Sequence, residues 1–413
     1  MNSKYTLIIN YRSLHVGGIE TYLYSLSKYL SKIGGRIIWL CDDEPIVSDS
    51  FSAFFLSNKV ERVITQTRGK YWFKHEPISF SKKEKIVILS FTPFEMCQAI
   101  ELKGKYPQYN INCFYVVPNF TGNNYYIERF FKGWLNKFVI NKMKKILNIW
   151  EENSYIRFFD QKHIDALEMN YKFKIKEHDT KILGPVNKQG FFDYNLAKKR
   201  SKREQFNLIT VGRFDFPHKG YILGLIRSYG QLKKYYPHLT LTIIGYGEGE
   251  PLVKKEIDKL PKKHREDIKL IGEVAPDKLN YYFDKSHLNI GVAGAVRAGA
   301  RSGLISLPSR HYCYECEVYG YLPEYKDMNL STDPGNPVEK FIEEVINMDD
   351  QTYIEMCKRS YDTFAVQAED PLYFFKTKNI VEEKDIKQSH INFIKYYRYM
   401  CKAKVKITQK IKS

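Results

Sequence analysis

The sequence feature that most restricts the fold is a strand, a glycine-containing turn and a helix that follow one another in two separate places. Near the N-terminus the apolar run Thr6–Asn10 precedes Gly17 and Gly18, and leucines then recur at helical spacing before a second apolar run, Arg36–Cys41. The same order begins again at Phe206. Strands that alternate with helices are typical of parallel sheets covered by helices, so the chain is predicted to be α/β.

The alternation continues after both openings. In the first half, strands are predicted at Val60–Thr65, Ile86–Leu89 and Asn112–Val116, with helices after Pro93 and over Tyr126–Lys142. In the second half, strands are predicted at 206–212, 239–245, 268–272 and 287–292, with helices between them. This pattern predicts two Rossmann-like parallel-sheet domains that face each other across a cleft, which is where ligands commonly bind.

The domain boundaries follow from the length and from interruptions of the pattern. A chain of 413 residues has the length of two or three domains. Gly184 and Pro185 interrupt the periodicity, and a basic, polar stretch follows them. We predict an N-terminal domain over 1–183, a linker over 184–205, a second domain over 206–370 and a helical tail over 371–413 that could return to the first domain.

Charge and cysteine content restrict the partners and the compartment. Lys and Arg outnumber Asp and Glu by 65 to 47, a net charge of +18, so we expect an anionic partner, and phosphate is the simplest one. No apolar run is long enough to cross a bilayer, and seven scattered cysteines favour reduced thiols, so we expect a cytoplasmic protein. Cys313, Cys316 and His311 have the spacing of zinc ligands, but nothing completes a set of four, so ordinary buried thiols are favoured and no metal is expected.

Two features are candidates for phosphate binding. The N–H groups of Gly17 and Gly18 at the start of a helix could face an anion, although a tight turn explains these glycines equally well. Arg213 and Lys219 flank the loop after the first strand of the second half, where a guanidinium and an ammonium could neutralise a departing diphosphate. The alternative for this second pair is two solvated surface cations.

Four segments, in this order, resemble family 4 glycosyltransferases of the GT-B fold across residues 5–310. They read VGGIETYLYSLSKYL, LITVGRFDFPHKGYILGLIRSYGQL, LTIIGYGEGEPLVKKEI and LIGEVAPDKLNYYFDKSHLNIGVAG. The resemblance implies that the second domain binds a nucleotide-diphosphate sugar and the first domain binds the sugar acceptor. It also implies a transfer with retention of anomeric configuration and without a bound metal or a covalent cofactor.

The resemblance also implies a donor site. Arg213 and Lys219 would be the catalytic residues, because they match the cations that hold the diphosphate. The backbone near Glu273 and Val274 would meet the base. The remaining donor-binding residues would be Gly17, Gly18, Gly212, Gly294, Ala295 and Arg297.

One segment departs from the family pattern. Where family members carry two glutamates with seven residues between them, this chain has Ile290 and Ala298, and no Asp or Glu occurs between Asn289 and His311. Arg297 and Arg301 occupy the predicted helix instead. An altered donor with extra negative charge, a catalytically silent GT-B scaffold and a shifted alignment are the three explanations. We favour an active, divergent enzyme.

The acceptor side has weaker candidates. His15, Glu95 and Asn119 lie at the ends of strands in the first half, and none matches the family pattern cleanly. The segment Arg129–Trp150 mixes aromatic residues with lysines, which suits an anionic membrane surface, although a helix packed on its own sheet is favoured.

We therefore expect a glycosyltransferase of cell-surface polysaccharide assembly with a saccharide or lipid-linked acceptor. It would lie in the cytoplasm, with the inner face of the membrane as a candidate docking surface. Nucleic-acid binding is disfavoured, because the chain has no recognisable nucleic-acid-binding module.

Overall fold

The structure is a computed structural model that divides into two compact units. One comprises Met1–Asn187 with Glu369–Ser413, and the other comprises Lys188–Ala368. The residues described are 4–15, 17–66, 74–117, 133–159, 161–171, 174–175, 191–202, 204–324, 334–365, 370–377 and 386–398. Asn119, predicted to contact the acceptor, and the start of the segment Arg129–Trp150 lie outside them.

The first unit is built on a sheet of seven strands in the order β4-β3-β2-β1-β5-β6-β7. Neighbouring strands are parallel except for β3 and β4. The strands are β1 (Tyr5–Asn10), β2 (Arg36–Cys41), β3 (Glu61–Gln66), β4 (Lys74–His75), β5 (Lys85–Ser90), β6 (Ile111–Val117) and β7 (Ile156–Phe158). Most of their side chains are buried, because helices cover both faces of a parallel sheet.

Among the described residues of this unit, the helices between strands are α1 (Gly18–Lys32), α2 (Asp49–Phe55), α3 (Pro93–Lys105) and α4 (Gly133–Glu152), and α5 (Gln161–Tyr171) follows β7. The helix predicted at Tyr126–Lys142 corresponds to α4, which extends further, to Glu152. Its buried face continues past Lys142 to Trp150, while Trp134 on the other side is 78% exposed. Among the helices of the described residues, none has the length and apolarity needed to span a membrane.

The second unit contains a parallel sheet in the order β10-β9-β8-β11-β12. Its strands are β8 (Phe206–Val211), β9 (Leu239–Ile244), β10 (Ile268–Gly272), β11 (Leu288–Gly291) and β12 (Ile305–Pro308), and a short antiparallel pair follows, β13 (Glu317–Val318) and β14 (Asn336–Pro337). Its helices are α6 (Tyr194–Ser201), α7 (Tyr221–Leu232), α8 (Glu250–Asp258), α9 (Lys262–Arg265), α10 (Leu279–Phe283), α11 (Gly294–Arg301), α12 (Val338–Ile346) and α13 (Asp350–Ala365).

The C-terminal segment packs on the first unit. It contains the short helix α14 (Tyr373–Lys376) and a helix over 388–398. The Arg157 Nε atom donates a hydrogen bond to the Tyr373 hydroxyl (2.9 Å), and the Lys395 ammonium forms an ion pair with Glu101. These contacts attach the end of the chain to the sheet formed by its beginning.

Candidate functional site

Predicted donor residues of the second half meet at one edge of the second sheet. Its five main strands are parallel, so the loops that follow them lie at the same edge, which is where ligands bind in folds of this kind. Gly212 and Arg213 follow β8, Glu273 and Val274 follow β10, and Gly294 begins α11 after β11.

The loop between β8 and α7, residues 212–220, carries Arg213 and Lys219, and we call it the cation loop. It is fixed by its own backbone and by the turn after β9. The Phe214 N–H donates to the Tyr246 carbonyl (2.8 Å), and the Phe214 carbonyl accepts from the Gly249 N–H (3.0 Å). The Lys219 N–H donates to the Asp215 carbonyl (2.9 Å). A loop held at both ends keeps its cations in place before a ligand arrives.

The side chain of Lys219 lies over the backbone of Gly212. The Lys219 Nζ atom is 2.9 Å from the point at which a Cβ atom on Gly212 would lie, so only a glycine leaves this position to the ammonium. The pKa of Lys219 is lowered to about 8, mainly because the ammonium is buried and to a smaller extent because Arg213 is positively charged. The negative charge of Asp215 opposes this shift. Arg213 and Lys219 are therefore close enough to repel each other, as two cations converging on one anion would be.

A histidine pair lies beside these cations and was not predicted. The His218 Nε2 and His311 Nδ1 atoms are 3.1 Å apart, and the Tyr312 N–H donates to the His218 carbonyl (3.1 Å). Burial lowers the pKa of His218, and the charges of Lys219 and Arg213 act in the same direction. Tyr312 has a φ of 56°, which is uncommon for a residue other than glycine and is often found at functional sites.

Two glycines of the α7 region bring the segment after β12 against the cation loop. A Cβ atom on Gly220 would lie 2.6 Å from the Cys313 carbonyl oxygen, and one on Gly224 would overlap the Cys316 backbone nitrogen. Cys316 is buried, and the Cys313 thiol donates to a Glu315 carboxylate oxygen (3.3 Å). Within the described residues, no group of three His, Cys, Asp or Glu side chains could hold a metal ion.

The turn from β11 into α11 carries a second strained residue. Ala293 has φ 47° and ψ −120°, again unusual for a residue with a side chain. The Ala295 N–H, predicted to face the donor, donates to the Val292 carbonyl (3.2 Å), so this N–H is already engaged. Arg297 and Arg301 both lie on α11, one helical turn apart.

The residues after β10 have different surroundings. Val274 packs in an apolar cluster with Leu279, Tyr282 and Ala298, while Glu273 is half-buried. Gly272, directly before them, has a φ of 83° and accepts a hydrogen bond from the Gly245 N–H (2.9 Å). The strand end predicted to meet the base is thus joined to the turn that also anchors the cation loop.

In the first unit, the glycine turn contains a carboxylate. Gly17 is the N-cap of α1, and the Glu20 carboxylate folds back into the space that a Cβ atom on Gly17 would occupy. The Tyr11 hydroxyl donates to the Glu20 Oε1 atom (2.8 Å). A phosphate predicted to approach Gly17 and Gly18 would meet this negative charge. The sequence could have indicated this contact, because Glu20 is the third residue of the helix and acidic residues at this position often bind the N-terminal backbone.

Glu95, predicted to contact the acceptor, is a buried group at the carboxyl edge of the first sheet. Its Oε2 atom accepts from the Phe91 N–H (3.1 Å) and the Thr92 N–H (3.0 Å), which makes it part of the capping box of α3. Burial raises the pKa of Glu95 to about 7, against the backbone hydrogen bond and the charges of Arg398 and Arg12. A carboxyl group that titrates near neutrality can exchange protons with a substrate, although its hydrogen bonds also explain its presence structurally.

A polar cavity of about 530 Å³ opens at the same edge of the first sheet, after β2. Asp42, Asp43, Asn58 and Arg62 contribute polar groups to its lining. His15 lies in the turn after β1 and is half-buried. The first unit therefore presents hydrogen-bonding groups suited to a hydroxyl-rich molecule.

Three of the similar solved structures each cover more than nine-tenths of this chain. HepE of Anabaena, in complex with UDP and glucose, shares 14% identity over 91% of this chain and 98% of that chain, with a TM-score of 0.53. A glycosyltransferase from Rickettsia africae shares 14% identity over 97% and 99%, with a TM-score of 0.51. A TarM variant of S. aureus, in complex with fondaparinux, alpha-GlcNAc-glycerol and UDP, shares 9% identity over 91% and 100%, with a TM-score of 0.53.

No protein-family model matches the chain, and no curated protein matches it in sequence. At these low identities the structural likeness establishes the fold. The prediction of an α/β chain with two Rossmann-like parallel-sheet domains is confirmed.

Proposed function

We propose that the protein is a glycosyltransferase that moves a sugar from a nucleotide-diphosphate sugar to a saccharide or lipid-linked acceptor. The observation that carries the proposal is the pair Arg213 and Lys219, which converge after the first strand of the second unit, where the Lys219 ammonium lies over Gly212. When the bond to the diphosphate breaks, negative charge develops on the leaving group, and cations already in place stabilise it.

The donor would bind at the carboxyl edge of the second sheet. Arg213 and Lys219 would hold the diphosphate, Gly294 would present its backbone at the start of α11, and the segment at Glu273 and Val274 would contact the base. UDP is present in the solved HepE and TarM complexes, which share this fold, so a uridine nucleotide is the first donor to test.

The acceptor would bind to the first unit, near Glu95 and His15 and the cavity after β2. We propose a transfer with retention, in which an oxygen of the departing diphosphate takes the proton of the acceptor, so that no metal and no protein base are needed. Product anomers resolved by NMR and activity in a chelator test these two points.

The cellular role we propose is cell-surface polysaccharide assembly on the inner face of the membrane. The exposed Trp134 and Phe138 on α4, with Lys137 and Lys142 beside them, support docking to an anionic membrane from the cytoplasmic side. Sedimentation with anionic and neutral vesicles tests this docking.

The decisive experiment combines nucleotide binding with turnover. We expect nucleoside diphosphates to raise the thermal midpoint, and Arg213→Ala or Lys219→Ala to lower kcat by about 10²–10³-fold, or about 3 kcal/mol. Arg265→Ala, an exposed arginine paired with Asp258, is the control. Unchanged turnover in both cation variants would contradict the proposal.

A second candidate, a catalytically silent scaffold, is favoured by one observation: no carboxylate lies between Asn289 and His311. Nucleotide binding without turnover across a panel of donors and acceptors would support the scaffold. Salt-dependent binding of oligonucleotides, without any nucleotide response, would instead indicate a nucleic-acid-binding protein.

A further inference from the structure

The segment that follows β12 is joined to the cation loop at one residue, His218. The His311 Nδ1 atom lies 3.1 Å from the His218 Nε2 atom. The next residue, Tyr312, donates its backbone N–H to the His218 carbonyl (3.1 Å). Two consecutive residues of one segment thus hold both the side chain and the backbone of a single loop residue, and that residue directly precedes Lys219.

Three features of the backbone allow this approach. Tyr312 has a φ of 56°, a conformation that costs free energy for a residue with a side chain. A Cβ atom on Gly220 would lie 2.6 Å from the Cys313 carbonyl oxygen. A Cβ atom on Gly224 would lie 2.3 Å from the Cys316 backbone nitrogen. A strained turn and two glycines therefore bring the segment after β12 against the cation loop and the start of α7.

The hydrogen bond between the two rings depends on the charge of His218. One imidazole nitrogen must donate and the other must accept, so at least one of the two rings must be neutral. Burial lowers the pKa of His218, and the charges of Lys219 and Arg213 lower it further. Asp215 opposes this shift. Because its pKa lies below the ordinary 6.5, His218 is mainly neutral at pH 7 and keeps the bond to the other ring.

The position of the Lys219 ammonium is tied to this contact. The first half of the cation loop is anchored at Phe214 to the turn after β9. Lys219 lies in the second half, which meets the segment after β12 at His218 and Gly220. Electrostatic stabilisation of a ligand requires a preorganised charge, and a displacement of about 1 Å can cost much of its effect.

We propose that His311 is a positioning residue for the donor diphosphate: through its hydrogen bond to His218, it holds the Lys219 ammonium where the diphosphate binds. This inference rests on the proposed function. His311 acts through the cation loop and makes no contact with the nucleotide in this role. Loss of its hydrogen bond should therefore weaken the binding of the second phosphate and leave the binding of the base and ribose unchanged.

The test measures what the second phosphate contributes, as the ratio of the Kd for UMP to the Kd for UDP, by calorimetric titration of the full chain at pH 7. His311→Phe keeps an aromatic ring but removes the hydrogen bond, so this ratio should fall about tenfold. His311→Asn keeps a polar atom near the position of Nδ1 and should hold the ratio within about twofold of the wild type. Arg265→Gln, which changes an exposed arginine of α9, is the control and should leave the ratio unchanged.

A second set of variants tests the same bond from its other side. His218→Leu should lower the ratio as much as His311→Phe does, whereas His218→Gln keeps a polar atom near the position of Nε2 and should preserve it. The double variant His218→Leu/His311→Phe should lose no more than either single variant, because all three remove one bond. If His311→Phe does not fold, the comparison of His218→Leu with His218→Gln decides.

A merely structural role for His311 gives a different result. It would lower the thermal midpoint, or weaken UMP and UDP equally, without changing the ratio. An unchanged ratio in His311→Phe and His218→Leu, or an equal loss in His311→Phe and His311→Asn, would overturn the inference. If UDP, GDP and ADP all failed to bind the wild type, the proposed function itself would fail, and this inference with it. If the protein prefers guanine, the equivalent probes are GMP and GDP.

Discussion

The pKa of Lys219 predicts how nucleotide affinity changes with pH. In the free protein, burial and the Arg213 charge lower this pKa to about 8. A bound diphosphate brings negative charge to the ammonium and stabilises its protonated form, so the pKa in the complex must be higher. Below pH 8 the free protein already carries the proton. As the pH rises above 8, the protein must take up a proton in order to bind.

The magnitude follows from the fraction of neutral lysine. At pH 9, one pH unit above the pKa of Lys219, about nine in ten of these side chains are neutral in the free protein. The Kd for a nucleoside diphosphate should therefore rise about tenfold between pH 7 and pH 9, and about half a proton should be taken up per nucleotide bound at pH 8. His218 titrates below this range, because its pKa is lowered from 6.5.

Calorimetric titration in two buffers of different ionisation enthalpy measures both the Kd and the proton uptake. Lys219→Arg is the matched control, because a guanidinium stays charged throughout the range, so its pH dependence should be nearly flat. Titration of the nucleotide itself contributes equally to both proteins. An equal Kd at pH 7 and pH 9 in the wild type would refute the assignment of Lys219 to the diphosphate. The same rise of the Kd with pH in Lys219→Arg as in the wild type would also refute it.

Two further predictions concern stability, measured by unfolding in urea. In Gly224→Ala the new methyl group would meet the Cys316 backbone, so the free energy of unfolding should fall by about 1–3 kcal/mol. Gly230→Ala in the same helix meets only the flexible end of Leu260 and should be neutral or stabilising; an equal loss in both variants would contradict the packing argument. Burial raises the pKa of Glu95 from 4.5 to about 7. The protonated carboxyl therefore adds about 3 kcal/mol to the free energy of unfolding below pH 4.5, and this stabilisation is lost as the pH rises through 7. Glu95→Gln should remove this pH dependence of the free energy of unfolding. A pH dependence that persists in the variant would contradict its assignment to Glu95.

The strands that the sequence predicts are each an apolar run of useful length. Arg36–Cys41 was predicted and found with the same bounds, and Val60–Thr65 differs by one residue from β3. The strands β4 and β13 have two residues each, too few for any periodicity, and were not predicted. The predicted helix Tyr126–Lys142 ends before α4 does, because the buried stripe of α4 continues to Trp150.

The site was predictable only where its residues are neighbours in sequence. Arg213 and Lys219 follow one strand end, which places them at the ligand edge of a parallel sheet. His218 and His311 are 93 residues apart, and no local pattern indicates that they meet. The positive φ of Tyr312 was equally hidden, since glycine is the residue type that signals such a backbone.

The second unit also contains buried cations that serve the fold, and these show what complete pairing looks like. Arg200 is 4% exposed, and its guanidinium donates to the carbonyls of Phe283 (3.0 Å) and Gly303 (3.1 Å). Lys233 is also 4% exposed, and its ammonium donates to the Leu239 carbonyl (2.6 Å) and lies 2.7 Å from an Asp267 carboxylate oxygen. Both cations are surrounded by acceptors, as burial of a charge requires.

Lys219 and Arg301 differ from these structural cations in the same protein. Each has a pKa that is lowered by burial and by a second cation, so each is held where its own charge is unfavourable. Under the proposed function, the negative charge of the donor diphosphate would compensate the buried charge of Lys219.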